Sequence, residues 1–181
     1  TFERICTAAE ELFGENGYYE TSITDITNRA NVGAGTFYIY FESKIKLYEY
    51  LLRQYGHLIR KHISIAIKAC TSRRQAEREG LRAWLEFVVD HKYVFSITWE
   101  SMFIDRRLFD EYYTRFSQSY VRQLEEAQLK GEVRSIDPEI MSFALMGISN
   151  FIALHWVVFK EEKNFDYVID QIMVFIEGMF E

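Results

Sequence analysis

Hydroxyl and amine side chains are concentrated in one short segment of the chain. Thr36, Tyr38 and Tyr40 carry hydroxyls, and Lys44 adds a positive charge four residues later. Hydroxyls and ammonium groups are donors that proteins use to contact the phosphates and base edges of DNA. Gly35 precedes them and has no side chain, so it would let a nucleic-acid backbone approach closely. The segment therefore has the chemistry of a nucleic-acid contact.

Two short predicted helices would hold this segment. Ser22 followed three residues later by Asp25 is the pattern of a capping box, which opens a helix. Asn31 tolerates the left-handed conformation that ends a helix, and Gly33 completes a tight turn before a third helix at residues 34–40. Two short helices joined by a turn of three or four residues form a helix-turn-helix, whose second helix enters the major groove of DNA.

The remaining sequence predicts helices and no strand. Apolar residues recur at helical spacing from Ile5 to Phe13, and Asn16-Gly17 ends that first helix. Ser43 begins a long fourth helix, and Asp137-Pro138 is a strong start signal for a later one. Further helices are predicted at residues 73–90, 93–103, 105–130, 138–159 and 165–180. The sequence thus predicts an all-α fold of about nine helices.

The charge of the chain does not by itself favour DNA. The formal net charge is −6, and residues 1–56 contain five basic and eight acidic side chains. A nucleic-acid binder is expected to be basic, at least locally. A DNA contact here must therefore depend on geometry and on a few well-placed groups.

Other classes of protein fit less well. The four histidines, His57, His62, His91 and His155, are scattered, and no metal-ligand spacing, nucleophile arrangement or phosphate loop appears, so we expect no enzyme activity, no metal and no cofactor. Two distant cysteines suit a reducing cytosol. The apolar run at residues 151–159 is too short to cross a bilayer, so no membrane partner is expected.

The N-terminal residues resemble the tetracycline-repressor (TetR) family in order and spacing. The resemblance covers about the first fifty residues and is most specific between Gly35 and Lys44. The matching residues are Ala9, Leu12, Phe13, Gly17, Tyr18, Thr21, Ser22, Asp25, Ile26, Ala30, Val32, Gly35, Thr36, Tyr38, Tyr40, Phe41, Ser43, Lys44 and Leu47.

The resemblance implies a helix-turn-helix DNA-binding domain at residues 1–46 and a helical ligand-binding and dimerisation domain at residues 47–181. Three positions depart from the family pattern: Asn31 replaces a common glycine, Gly33 a serine or threonine, and Ala34 a polar or basic residue. These departures leave base readout to fewer side chains. The predicted DNA contacts are Ser22, Thr24, Gly33, Ala34, Gly35, Thr36, Tyr38, Ile39, Tyr40 and Lys44.

The family pattern also implies a homodimer built by the last two long helices. Two faces of the helix at residues 138–159 are apolar, which exceeds the needs of one core contact. The predicted interface residues are Met141, Leu145, Ile148, Ile152, Trp156, Ile169, Ile172, Met173 and Ile176.

A pocket for a small lipophilic effector is expected among the middle helices, because aromatic residues are unusually frequent, at 17% of the chain. A long-chain acyl compound fits such a lining, whereas a cationic lipophilic drug would need Glu100 or Asp90 turned inward. The predicted lining is Trp84, Phe87, Val88, Phe95, Trp99, Met102, Phe103, Tyr112, Phe116, Tyr120 and Phe151.

These features predict a ligand-responsive transcription regulator. A repressor dimer would bind a palindromic operator in double-stranded DNA, with half-sites about 34–36 Å apart or a multiple of that. The alternative is a helical interaction module that has lost specific DNA binding.

Overall fold

The computed structural model describes residues 1–180, which form nine α-helices and no strand. Two short helical segments of other types follow α8 and α9: a π-helix at Ala153–Phe159 and a 3-10 turn at Glu177–Met179. The α-helices are α1 Phe2–Asn16, α2 Ile23–Arg29, α3 Ala34–Tyr40, α4 Lys44–Ile67, α5 Arg73–Asp90, α6 Val94–Ile104, α7 Arg106–Leu129, α8 Pro138–Ile152 and α9 Asp166–Phe175. The all-α prediction is confirmed.

The chain divides into two compact units. Within the described residues, the first contains residues 1–57 and 93–112, and the second contains residues 58–92 and 113–180. The predicted functional boundary between residues 46 and 47 rests on sequence resemblance and stays a prediction, since a compact unit is defined by packing and not by activity.

The first unit is built around the apolar face of α1. Ile5, Ala9 and Phe13 are fully buried, as are Ile26 of α2 and Phe37 of α3. Gly17 ends α1 with a φ of 83°, in the left-handed region that a glycine adopts without steric cost. Side-chain burial along α1 therefore follows the predicted 3.6-residue spacing.

The second unit contains the longest apolar stretch of helix. Asp137 caps α8 by accepting hydrogen bonds from the backbone N–H groups of Glu139 and Ile140, both at 2.9 Å. Together with the π-helix, α8 spans Pro138–Phe159, 22 residues. By length and composition alone this stretch is long enough to cross a membrane, although the core helix of a soluble protein meets the same test. The apolar run at residues 151–159 is only the end of this stretch. The sequence analysis therefore underestimated the length of the apolar helix, because its earlier part also includes small and polar residues.

Candidate nucleic-acid interface

Helix α2 starts at the predicted capping box. The hydroxyl of Ser22 accepts a hydrogen bond from the backbone N–H of Asp25 at 3.1 Å, and the carboxylate of Asp25 accepts one from the backbone N–H of Ser22 at 2.9 Å. The hydroxyl of Ser22 also donates to the carboxylate of Asp25 at 2.5 Å. This bond, and then the bond from the N–H of Ser22, lower the pKa of Asp25, because both stabilise its charged form. Ser22 thus has a local structural role whether or not it also contacts DNA.

The turn between α2 and α3 is tight and exposed. Asn31 adopts a φ of 52°, as predicted from its tolerance of left-handed backbone. Gly33 precedes α3 and forms no side-chain cap. Ser22, Thr24, Gly33, Ala34 and Gly35 are all exposed, so these five predicted contacts are accessible.

Helix α3 has one buried side and one exposed side. Phe37 is completely buried, and Phe41 just beyond the helix is 7% exposed. The opposite side presents Tyr38, Ile39 and Tyr40, whose side chains are 60%, 75% and 43% exposed. Thr36 is partly exposed. The buried phenylalanine therefore fixes α3 with its other face open to a partner.

An edge-to-face ring contact orients Tyr40. The rings of Phe2 and Tyr40 lie 5.6 Å apart at an interplanar angle of 65°. Offset and edge-to-face ring pairs are preferred over face-to-face stacking. Phe2 thus holds the ring of Tyr40 while the residue remains partly exposed.

The ammonium group of Lys44 forms hydrogen bonds within the protein. Its Nζ donates hydrogen bonds to the backbone carbonyls of Tyr18 at 2.7 Å and Thr21 at 2.8 Å, and it lies 4.1 Å above the ring of Tyr18. Partial burial lowers the pKa of Lys44, while Glu100 and Glu20 oppose that change. Two of its three N–H donors are thereby occupied. The predicted phosphate contact of Lys44 stays a prediction, whereas its bonds to the link between α1 and α2 are observed.

The carboxylate of Glu100, on α6, holds the same link between α1 and α2 by accepting from a backbone N–H of the link. Both carboxylate oxygens of Glu100 accept from the N–H of Tyr18, at 2.9 Å and 3.0 Å. We call Tyr18, Thr21, Lys44 and Glu100 the Tyr18 clamp. The carboxylate of Glu100 is thus bonded to backbone, and a role for Glu100 toward a cationic ligand stays a prediction.

Most positive charges near α3 are already paired. Arg29 lies 3.0 Å from a carboxylate oxygen of Glu11 and 3.5 Å from one of Glu15. Lys46 lies 2.9 Å from Glu49. The α3 surface thus lacks a basic patch, in agreement with the acidic composition.

The N-terminal residues match a known family of DNA-binding proteins. Residues 5–51 match the model of bacterial regulatory proteins, tetR family. The chain is 26% identical over 164 residues to YhgD of Bacillus subtilis, an HTH-type transcriptional regulator, a match that covers 88% of this chain and 83% of YhgD. The N-terminal domain, residues 5–51, belongs to the TetR family.

Two solved structures share the fold over nearly the whole chain. FadR from Bacillus subtilis, in complex with stearoyl-CoA, has a TM-score of 0.85 at 17% identity and covers 97% of both chains. A transcriptional regulator from Saccharomonospora viridis, in complex with choline, has a TM-score of 0.78 at 20% identity and covers 99% of this chain and 97% of its own. The likeness extends the TetR-type architecture beyond residues 5–51.

The predicted effector residues of this chain divide between the two compact units. In the first unit Phe95 and Tyr112 are buried and Trp99 is partly exposed, whereas Met102 and Phe103 are 43% and 79% exposed. In the second unit Trp84, Phe87 and Val88 are buried, Phe116 and Tyr120 are partly exposed, and Phe151 is 66% exposed. The eleven residues therefore differ widely in exposure, and their role in effector binding stays a prediction.

A charged cluster in the second unit was missed by sequence reasoning. Arg73 and Glu77 are 8% and 7% exposed, and Nε of Arg73 lies 2.8 Å from a carboxylate oxygen of Glu77. A guanidinium N–H of Arg73 donates to Gln123 at 2.9 Å, and the hydroxyl of Tyr120 donates to Glu77. We call these four residues the Arg73 cluster. The i, i+4 spacing of Arg73 and Glu77 was the available signal, but such pairs usually lie on a solvated face.

The residues predicted for the dimer interface are partly occupied inside the protomer. Met141, Leu145, Ile169, Met173 and Ile176 are all at most 9% exposed, and Ile148, Ile152, Trp156 and Ile172 are partly exposed. A different set of apolar residues on the same helices is open: Ile140, Phe143, Phe159, Tyr167, Val174 and Phe175 are between 44% and 74% exposed. Five of the nine predicted residues thus belong to the core of the second unit.

Within residues 1–180 no group of three or more histidine, cysteine, aspartate or glutamate side chains is arranged to hold a metal ion.

Proposed function

We propose that this chain is a TetR-family, ligand-responsive transcription regulator that binds operator DNA through α3 and is released by a small lipophilic effector. The observation that carries the proposal is the exposed side of α3, held outward by buried Phe37 within the family-matched residues 5–51. Binding to DNA also implies a cytoplasmic location. The proposal includes repression as the direction of control, which a reporter gene placed behind the operator would test.

Tyr40 offers a selective test of DNA binding. Tyr40→Phe removes the hydroxyl and keeps the ring that contacts Phe2. Since hydrogen bonds to charged groups contribute about 1.5–3 kcal/mol, loss of a phosphate contact should weaken operator binding about tenfold or more. Fluorescence anisotropy with a DNA fragment selected from the host genome would measure the affinity.

Tyr19→Phe is the matched control, since it removes a hydroxyl from a 65% exposed tyrosine in the link between α1 and α2, outside α3 and outside the proposed dimer face. It should leave DNA affinity unchanged. A folded wild-type chain that selects no DNA sequence would favour the alternative of an interaction module, which the acidic N-terminal composition supports.

The effector we propose is a long-chain acyl compound. The FadR structure contains stearoyl-CoA, and the regulator from Saccharomonospora viridis contains choline. In this chain Glu100 is bonded to the backbone of Tyr18, and Glu77 is paired with Arg73, so neither is an open acceptor for a cation. Stearoyl-CoA should raise the melting temperature and release DNA, while choline should do neither; the reverse pattern would reject the acyl assignment.

We propose that a second copy of the chain covers the exposed apolar residues of α8 and α9. Ile140 and Phe143 recur along α8, and Tyr167, Val174 and Phe175 recur along α9 at helical spacing. Symmetric dimers commonly bury such self-complementary faces, and a dimer would present two α3 helices to a palindromic operator.

The oligomeric state tests this assignment. Val174→Glu should shift the protein from dimer to monomer in analytical ultracentrifugation, whereas Ile65→Glu, at a 65% exposed residue of α4, should remain dimeric. Since Pro138–Phe159 is long enough to span a membrane, flotation with phosphatidylcholine vesicles is the companion measurement. A monomeric wild type that floats with vesicles would refute the dimer.

A further inference from the structure

The exposed side of α3 contains none of the side chains that read bases by paired hydrogen bonds. Arginine and lysine read guanine, asparagine and glutamine read adenine, and aspartate and glutamate read cytosine in the major groove. The seven residues of α3 include none of these six types. What remains is the hydroxyls of Thr36, Tyr38 and Tyr40 together with apolar contact. The base that offers an apolar group in the major groove is thymine, through its 5-methyl.

Ile39 is the side chain on α3 that is suited to such a contact. It is 75% exposed, more than any other large apolar residue in residues 1–57. Tyr38 and Tyr40 have part of their ring surface engaged, since Tyr38 lies edge-on to Phe37 with ring centres 5.4 Å apart and Tyr40 packs against Phe2. Ile39 therefore offers branched aliphatic surface and no hydrogen-bonding group.

Two basic side chains around α3, Arg29 and Lys46, are engaged by carboxylates, whereas exposed Arg4 lies on α1. Arg29 is paired with Glu11 and Glu15, and Lys46 is paired with Glu49. The neighbouring amide side chains, Asn28 and Asn31, belong to α2 and to the turn and not to α3. Sequence readout by α3 itself must therefore depend on hydroxyl groups, shape and apolar contact.

We propose that Ile39 reads the 5-methyl groups of thymine in the major groove, so that the operator half-sites contain thymine opposite α3. This inference rests on the proposed function and specifies which base that function selects. Covering one methyl group with apolar surface strengthens binding about fourfold. Replacing one contacted thymine by uracil removes only that methyl and should weaken binding by about this factor.

The experiment has two steps and uses the full chain. First, wild-type protein selects binding sites from a random DNA library, and the selected half-site is aligned. Second, each thymine in one half-site is replaced in turn by deoxyuridine, and the affinities of wild type, Ile39→Ala and Ile65→Ala are measured. Ile65→Ala is the matched control, because it truncates an exposed isoleucine on α4.

Wild type and Ile65→Ala should lose about fourfold at one or two thymines. Ile39→Ala should bind thymine and deoxyuridine duplexes equally, with the affinity that wild type shows for deoxyuridine. Selected half-sites without thymine, or an Ile39→Ala variant that still prefers thymine, would overturn the inference while leaving DNA binding intact. Failure of the wild type to select any sequence would instead reject the proposed function at the first step.

Discussion

The Tyr18 clamp and the Arg73 cluster hold a cation in different ways. In the first unit Lys44 donates to the neutral carbonyls of Tyr18 and Thr21. In the second unit Arg73 lies 2.8 Å from the carboxylate of Glu77, and both side chains are buried. One cation is held by backbone dipoles and the other by an opposite charge.

The two arrangements differ in what remains when one partner is removed. Without Lys44, the two groups that it bonded are neutral carbonyls, and the carboxylate of Glu100 keeps its bonds to the N–H of Tyr18. Without Glu77, the guanidinium of Arg73 would remain buried and charged without the carboxylate that lies 2.8 Å from it, since the carboxylate of Glu132 accepts from the backbone N–H of Arg73 instead. An unpaired buried charge costs much more than an unsatisfied neutral group, so the energetic importance of a contact is set largely by the group left behind.

The largest effect is expected at Glu77. Glu77→Ala should lower the free energy of unfolding by about 3–5 kcal/mol, because it leaves Arg73 buried without its charge partner. Urea denaturation at one fixed protein concentration would measure the change, since a dimer makes stability depend on concentration.

A double variant provides the control for the Arg73 cluster. Arg73→Met combined with Glu77→Leu removes both charges and keeps similar apolar volume, so it should be much more stable than Glu77→Ala alone. If the double variant were as unstable as the single one, lost packing rather than unpaired charge would explain the effect.

A smaller loss is expected at Lys44. Lys44→Met keeps the aliphatic chain and removes two charge-assisted hydrogen bonds, which should cost about 2 kcal/mol for a side chain that is only partly buried. Lys46→Met is the matched control, because Lys46 pairs with Glu49 on an exposed surface and such pairs contribute about 0.2–1 kcal/mol.

DNA binding by the same variants separates the two roles of Lys44. A phosphate contact would make the slope of log affinity against log salt concentration shallower by about 1 when Lys44 is replaced. Because Lys44 is bonded to the carbonyls of Tyr18 and Thr21, we expect Lys44→Met to leave this slope unchanged and to lower the free energy of unfolding. A shallower slope with an unchanged free energy of unfolding would instead support the phosphate contact of Lys44 predicted from the sequence.

Local features of the first unit could be predicted from the sequence because they depend on neighbouring residues. The capping box of Ser22 and Asp25 and the left-handed backbone at Gly17 and Asn31 all occur as predicted. Each is a property of a few consecutive residues whose backbone preferences are known.

The partners of charged side chains could not be predicted, because they lie far away in the chain. Tyr18 and Glu100 are 82 residues apart in sequence, and Lys44 and Tyr18 are 26 apart. Periodicity identifies apolar faces but not which of two faces points inward. For that reason Met141 and Leu145 of α8 were predicted at a dimer interface, whereas the structure buries them in the protomer.

The smallest effect is expected from a row of ion pairs between α5 and residues 166–177, which include α9 and the start of the 3-10 turn. Arg74, Arg78 and Arg82 follow one another at four-residue spacing and pair with Glu177, Asp170 and Asp166 at 2.7, 2.6 and 2.6 Å. The three acidic partners are 54–66% exposed, so water and salt weaken each pair.

Arg78→Ala should therefore lower the free energy of unfolding by only about 0.5 kcal/mol. This loss should disappear in 1 M NaCl, where the screening length falls to about 3 Å. The loss caused by Glu77→Ala should persist in the same salt, since Arg73 is buried away from mobile ions. Arg53→Ala, at an exposed arginine of α4 outside this row, is the control for removing a surface charge. Equal salt sensitivity of Arg78→Ala and Glu77→Ala would mean that solvent reaches the Arg73 cluster, and the contrast between buried and exposed charge pairs would not hold.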